Sequence, residues 1–200
     1  MLTVGFDLDM TLVDSAPGIR ASMSALALET GVPIDADVVI SRLGPKLEWE
    51  IAQWFPEDQV EHMCERYRAH YWDHCVGDGT LLLGGARAAV KAVHDGRGQA
   101  VVITAKSEAL AIRCLGSVGL HVDAIVGHVH GDEKRDALIE HAAGIYVGDT
   151  VTDIKSALDA SVIAVGVATG PDDTRTLLGA GADIVLDSLA EFPAWLTTIS

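Results

Sequence analysis

Two carboxylates close to the N-terminus could do chemistry. Asp7 and Asp9 follow a short apolar segment, and the hydroxyl of Thr11 comes two residues later. A short apolar run predicts a buried strand. Two unpaired carboxylates at its end would repel each other and raise each other's pKa. We therefore expect a positively charged partner between them.

Similar polar side chains follow other apolar segments. Thr104 and Lys106 follow a second one, Lys134 lies near a predicted helix start, and Asp149 and Asp153 follow a third. Carboxylates without cysteine or clustered histidine favour Mg²⁺ over zinc. Lysines and a threonine beside a metal suit a phosphoryl group, and a carboxylate can attack phosphorus to form an aspartyl phosphate.

Strand-like and helical patterns alternate along most of the chain, which predicts an α/β fold with βαβ units and a Rossmann-like parallel sheet. The carboxyl ends of such strands meet at one edge, so the polar side chains above should converge. Predicted strands cover 2–6, 100–103, 123–126, 144–147, 162–167 and 183–186, and predicted helices cover 86–94, 107–118, 134–142, 152–159, 173–178 and 189–197.

Residues 15–80 break this alternation because their apolar spacing is helical throughout. We expect a small all-helical cap domain inserted after the first strand, with residues 1–14 and 81–200 forming the core. Segment 77–85 is the predicted return linker. The helix face at 65–74 is expected to be solvated, and Trp49, Trp54 and Trp72 are expected to be core residues rather than a substrate platform.

Composition excludes several classes. The net charge of −15 and the lack of a Lys/Arg run argue against nucleic acid as a partner. Cys64, Cys75 and Cys114 lack paired metal-ligand spacing, so we expect reduced thiols. The first residues lack the basic segment of a signal peptide, and the apolar runs are too short to span a membrane. A cytoplasmic protein with no membrane partner is expected, as a monomer or a homodimer.

The ordered motifs resemble those of the haloacid dehalogenase-like superfamily of hydrolases. They are the Asp-x-Asp-x-Thr segment at 7–11, Thr104, Lys134 and the Gly-Asp-x-x-x-Asp segment at 148–153. They occur in the family's order and span nearly the whole chain. The insertion is similar to the small helical cap of the phosphoglycolate-phosphatase-like branch. Met10 stands where many relatives have glycine, which should be tolerated if the turn keeps ordinary dihedral angles.

The resemblance implies roles for the carboxylates. Asp7 would attack phosphorus, and Asp9 would protonate the leaving alcohol and then activate water. Mg²⁺ would be held by an Asp7 oxygen, the Asp9 main-chain carbonyl and Asp149. Asp153 would support it through water, or would simply cap the following helix.

The remaining candidates would contact the substrate. Thr104 and Lys134 are implied to hold the phosphoryl oxygens, with Lys134 also offsetting the charge of Asp7. Thr11 is expected beside the phosphate, and Lys106 either lies there or is solvated. The cations expected to meet the distal part of the substrate are Arg20, Arg42 and Lys46, with Lys46 favoured because its loop resembles the family's specificity loop. His128 and His130 could bind a metal but are better interpreted as a plain loop.

These observations predict a Mg²⁺-dependent phosphatase acting on a small phosphorylated metabolite, such as phosphoglycolate, a sugar phosphate, a nucleotide or pyrophosphate. A sugar phosphomutase could use the same core and return the phosphoryl group to a sugar. A non-enzymatic phospho-acceptor module, like a receiver domain, would carry its aspartate on a middle strand and would lack the helical insertion.

Overall fold

A parallel sheet forms the core of the computed structural model, which describes residues 1–199. Eight strands occur in the described residues, namely β1 (Thr3–Phe6), β2 (Val13–Asp14), β3 (Leu81–Leu82), β4 (Gln99–Ile103), β5 (Ala124–Val126), β6 (Ile145–Gly148), β7 (Ile163–Val167) and β8 (Ile184–Leu186). Six of them form the parallel sheet in the order β5-β4-β1-β6-β7-β8, as the α/β prediction requires, and β2 and β3 pair separately.

Helices cover both faces of this sheet because strand side chains alternate between two apolar clusters. The helices are α1 (Ala16–Thr30), α2 (Ala36–Ser41), α3 (Leu47–Ile51), α4 (Val60–His74), α5 (Ala86–Asp95), α6 (Glu108–Ser117), α7 (Asp132–Glu140), α8 (Val151–Asp159), α9 (Thr174–Gly179) and α10 (Phe192–Leu196), with 3₁₀ turns at Glu57–Gln59 and Gly77–Gly79. Val102 belongs to the cluster that includes α5, α6 and α10, whereas Val101 belongs to the cluster that includes α7, α8 and α9.

Helices α1 to α4 make up the insertion and share an apolar cluster of their own, to which Leu110 and Cys114 of α6 also belong. The segment therefore packs as a helical unit against the core, while the domain boundaries at 14/15 and 80/81 stay a prediction. Two of the three tryptophans depart from the expectation that they are core residues. Trp54 packs against the cluster, but Trp49 and Trp72 are 47% and 45% exposed.

A short antiparallel ribbon connects the insertion to the core. Val13 pairs with Leu82 and Asp14 with Leu81, so both chain crossings lie side by side. The predicted return linker thus contains half of this ribbon. Within the described part of the chain, none of the helices is long and apolar enough to cross a membrane.

Candidate active site

The strand order reverses around β1, and the candidate side chains gather where this happens. β4 and β6 flank β1 on its two sides, and ligands of open parallel sheets bind at such switch points. Asp7 follows β1 and its amide donates to Val147 O of β6 at 2.8 Å. Thr104 follows β4 and Asp149 follows β6, and all three side chains border one cavity.

Lys134 supplies the positive charge that the carboxylates need. Its Nζ, which is buried, donates to Asp7 Oδ1 at 2.8 Å and to Asp153 Oδ1 at 2.6 Å. Burial alone would lower the pKa of this ammonium, but the charges of Asp153 and Asp7 raise it well above its usual value. The lysine is therefore charged, and it joins the first turn of α7 to the end of β1 and to the first turn of α8.

Asp153 takes the capping role that the sequence left open, while its role toward a metal stays a prediction. It forms a capping box with Thr150 at the start of α8, and its Oδ1 also accepts a bond from the Tyr146 hydroxyl at 3.1 Å. Burial would raise its pKa, yet the charge and hydrogen bond of Lys134 hold the pKa below its usual value. Because both of its oxygens already accept hydrogen bonds, Asp153 is better suited to act on a bound ion indirectly, through water, than to contact it.

The donor set fits a divalent cation bound by oxygen atoms. Carboxylate oxygens of Asp7, Asp149 and Asp153 lie within 4.8 Å of one another, and all three residues are buried. Burial and then the charges of Asp7 and Asp153 raise the pKa of Asp149 well above its usual value. Burial, together with Asp153 and Asp9, raises the pKa of Asp7 to about 7 despite Lys134. Such an excess of buried negative charge suits Mg²⁺.

Thr11 and Met10 lie in the turn after β1. Thr11 is buried and its hydroxyl donates to Asp149 Oδ1 at 2.7 Å. It thus orients a carboxylate and is not among the described residues that line the cavity. Met10 corrects an expectation, since its φ of 59° is left-handed rather than ordinary. The Thr169 hydroxyl donates to Met10 O at 2.6 Å and holds this turn.

Lys106 connects Asp9 to the insertion. Its Nζ donates to Asp9 Oδ1 and to the hydroxyl oxygen of Tyr71, the latter at 2.9 Å. The Lys106 side chain is 8% exposed, so the solvated alternative is wrong. Burial would lower its pKa, but the charge of Asp9 raises it. The side chain proposed as acid and base therefore lies in an ion pair that α4 helps to hold.

A cavity of about 100 Å³ lies between the carboxylates and the insertion. Three side chains of α4 line it, namely Tyr67, Arg68 and Tyr71. The expectation that this helix face is solvated is therefore wrong for these residues, which the sequence analysis missed. The signal was present, because Cys64, Tyr67 and Tyr71 recur at helical spacing and form the buried stripe of α4.

The insertion cations predicted to meet the substrate all carry carboxylate partners. Arg42 donates to Glu50 at 2.7 and 2.6 Å, and Lys46 bridges to Glu133 of α7 at 2.6 Å. Arg20 pairs at the surface with Asp37, at 2.6 Å. Among residues 1–199, the cavity lining includes their neighbours but not these three cations.

The His128 and His130 pair lies in the loop before α7. His128 is exposed and left-handed, with a φ of 62°. In residues 1–199, the group of side chains whose ligand atoms could share an ion is the aspartate cluster described above. Both histidines lie outside the helices and strands, in the loop that the sequence predicted.

Comparison with known proteins agrees with this geometry. A family model described as haloacid dehalogenase-like hydrolase matches residues 4–167. A phosphoglycolate phosphatase of Chromobacterium violaceum is 29% identical, over 94% of this chain and 93% of that protein. Another, from Agrobacterium fabrum, is 30% identical, over 92% of this chain and 88% of its own.

A solved structure shares the architecture. A haloacid dehalogenase-like family hydrolase from Streptococcus pneumoniae superposes with a TM-score of 0.82 at 24% identity, and the match covers 98% of both chains. The family model spans most of the sequence, including Asp7, Thr104, Lys134 and Asp149. The chain belongs to the haloacid dehalogenase-like hydrolase family.

Proposed function

We propose that the protein is a Mg²⁺-dependent phosphatase that hydrolyses a small phosphorylated metabolite through an aspartyl phosphate on Asp7. One observation carries this proposal: buried Lys134 bridges Asp7 and Asp153 beside a cavity, at 2.8 and 2.6 Å. Relatives from two organisms that are phosphoglycolate phosphatases support the substrate class.

Asp7 is the proposed nucleophile. Because Lys134 binds Oδ1, attack on phosphorus by Oδ2 would leave that bond intact. Thr104 and Lys134 would hold the phosphoryl oxygens, since a hydroxyl and an ammonium stabilise the charge that develops there. The bond from phosphorus to the ester oxygen breaks as the new bond to Asp7 forms.

Asp9 is the proposed acid and base. It would give a proton to the departing alkoxide and then remove one from the water that hydrolyses the aspartyl phosphate. The Lys106 and Tyr71 contacts hold its carboxylate at the cavity wall. The insertion would meanwhile exclude bulk water, as lids do in other enzymes.

The cation would be held by Asp7, Asp149 and the main-chain carbonyl of Asp9, with Asp153 supporting it through water. When bound, Mg²⁺ supplies positive charge that offsets the carboxylates and polarises phosphoryl oxygens. Thr11 contributes by orienting Asp149 through its hydroxyl, at 2.7 Å. Lys134 keeps Asp7 and Asp153 together at the other side of the cluster.

The test is Asp7→Asn with p-nitrophenyl phosphate and MgCl₂. We expect kcat to fall at least about a thousandfold, because a covalent step loses its nucleophile. Chelation of the metal should abolish wild-type turnover, and added Mg²⁺ should restore it. Asp123→Asn, at a surface carboxylate that pairs with His94, is the matched control. If Asp7→Asn keeps the wild-type kcat, Asp7 is not the nucleophile.

A further inference from the structure

The cavity wall suggests which alcohol the phosphate ester carries. We propose, on the basis of the phosphatase function above, that the leaving group is an uncharged and largely apolar alcohol. Phosphoglycolate, which names the relatives, carries a carboxylate on its leaving group instead. The two substrate classes therefore differ by one negative charge, and the charges around the cavity distinguish them.

Apolar and aromatic side chains form most of the wall that the insertion contributes. They come from all four inserted helices and from the loop after α2, and Leu110 of α6 extends the same surface. An alkyl group in contact with them leaves water and gains by burial. A carboxylate there would lose hydration in exchange for contacts with carbon atoms. The side chains are Ile19, Met23, Val39, Leu43, Leu47 and Tyr67.

The basic side chains that line or flank this wall are already paired, within residues 1–199. Arg68 and Lys106 line the cavity, whereas Arg42 and Lys46 lie beside it. Each contacts a carboxylate and so offers little net positive charge to a ligand. The pairs are Arg42–Glu50, Lys46–Glu133, Arg68–Glu48 and Lys106–Asp9.

Glu50 adds a negative group to the wall itself. Its side chain is 10% exposed, and it accepts two bonds from Arg42 and one from Trp54 Nε1, at 2.7 Å. Because Arg42 offsets the charge of Glu50, the pair as a whole neither attracts nor repels a substrate carboxylate strongly. Such a carboxylate could recruit Arg42 only by leaving Glu50 buried without its partner, which is strongly unfavourable. The wall therefore selects against an anionic leaving group because it removes water from the charge and offers no free cation in exchange.

Two isosteric esters test this selection. Isobutyl phosphate and 2-phosphoglycolate have the same heavy-atom skeleton, with two methyl groups in place of the two carboxylate oxygens. We expect kcat/KM to be at least about tenfold higher for isobutyl phosphate, because a buried charge without a partner is rejected more strongly than an apolar group. A kcat/KM for 2-phosphoglycolate that equals or exceeds the other value would overturn the proposal.

Binding separates this inference from the catalytic one. The matching phosphonates, 3-methylbutylphosphonate and 3-phosphonopropionate, can be titrated calorimetrically with MgCl₂ present, and they need no turnover. We expect the uncharged ligand to bind at least about tenfold more tightly. If p-nitrophenyl phosphate and both esters all resist hydrolysis, the proposed function fails, while the phosphonates still decide the selectivity. Tighter or equal binding of 3-phosphonopropionate overturns the inference even in an active phosphatase.

A variant tests the charge pairing directly. Glu50→Gln removes the partner of Arg42, so the ratio of kcat/KM values should shift about tenfold toward 2-phosphoglycolate. Glu29→Gln is the matched control, because Glu29 pairs with Arg66 and His70 on the outer surface of the insertion. Its ratio should equal that of the wild type. An unchanged ratio in Glu50→Gln would contradict the proposed role of the pair.

Discussion

Removing the charge of Asp7 should stabilise the metal-free protein even though it removes the proposed nucleophile. Asp7, Asp149 and Asp153 are buried together, and Lys134 contacts two of them. Burial and the neighbouring charges raise the pKa of Asp7 from its ordinary 3.8 to about 7. The folded protein therefore holds the Asp7 carboxylate at a free-energy penalty when no cation is bound.

The magnitude follows from this pKa. A rise from 3.8 to about 7, at about 1.4 kcal/mol per pKa unit, corresponds to at most about 4 kcal/mol. Because the folded pKa is the higher one, the stabilising contribution of protonated Asp7 is complete below pH 3.8 and is lost as pH rises through about 7. Asparagine does not ionise, so Asp7→Asn does not lose stability in this way as the pH rises. We therefore expect its free energy of unfolding to exceed that of the wild type by about 2–4 kcal/mol near pH 8.

Urea unfolding in EDTA, at about pH 5.5 and about pH 8, measures the difference. The advantage of Asp7→Asn should shrink at the lower pH, and MgCl₂ should stabilise the wild type more than the variant. Asp123→Asn is a control of opposite sign. Burial would raise the pKa of Asp123, but the Ala100 amide and His94 lower it, so this variant should lose stability near pH 8. If Asp7→Asn is no more stable than the wild type at pH 8, the electrostatic reasoning is refuted.

Three further substitutions probe single contacts. Asp153→Ala should destabilise the protein by about 3–5 kcal/mol in urea unfolding because Lys134 loses a buried partner, whereas Asp173→Ala, at the exposed cap of α9, should lose about 1 kcal/mol; equal losses would contradict this. Gly170→Ala would place a Cβ 1.7 Å from Asp149 Oδ2, so kcat/KM should fall at least about tenfold, while Gly116→Ala, with open space around it, should keep wild-type activity. Met10→Gly should raise the free energy of unfolding by up to about 1 kcal/mol, and with it the thermal midpoint, because glycine adopts the left-handed conformation without the strain of a side chain. A lower midpoint would show that the turn is unstrained.

The parallel sheet and the meeting of the carboxylates could be predicted because both follow from local patterns. Alternating periodicity identified the core strands, and a parallel sheet brings their ends to one edge. The ribbon of β2 and β3 could not be predicted in this way, because each strand has two residues and so shows no period. The left-handed Met10 was missed because its residue type argues against that conformation.

The ion-pair partners of the cations in the insertion could not be predicted from the sequence. Arg42 finds Glu50 eight positions along the chain, but Lys46 finds Glu133 across 87 residues. A long-range partner depends on how the insertion packs on the core, which residue type and spacing do not encode. Lys106 shows the same limit, since its burial depends on Tyr71 of α4.

The paired ribbon makes the inserted segment modular. Asp14 lies directly opposite Leu81, and such partners are about 5 Å apart, so a tight turn could close the gap in place of the whole segment. Circular dichroism of a chain shortened in this way would check whether the sheet survives. Helices of other lengths could be grafted at the same junction, which would let one catalytic scaffold carry many different lids.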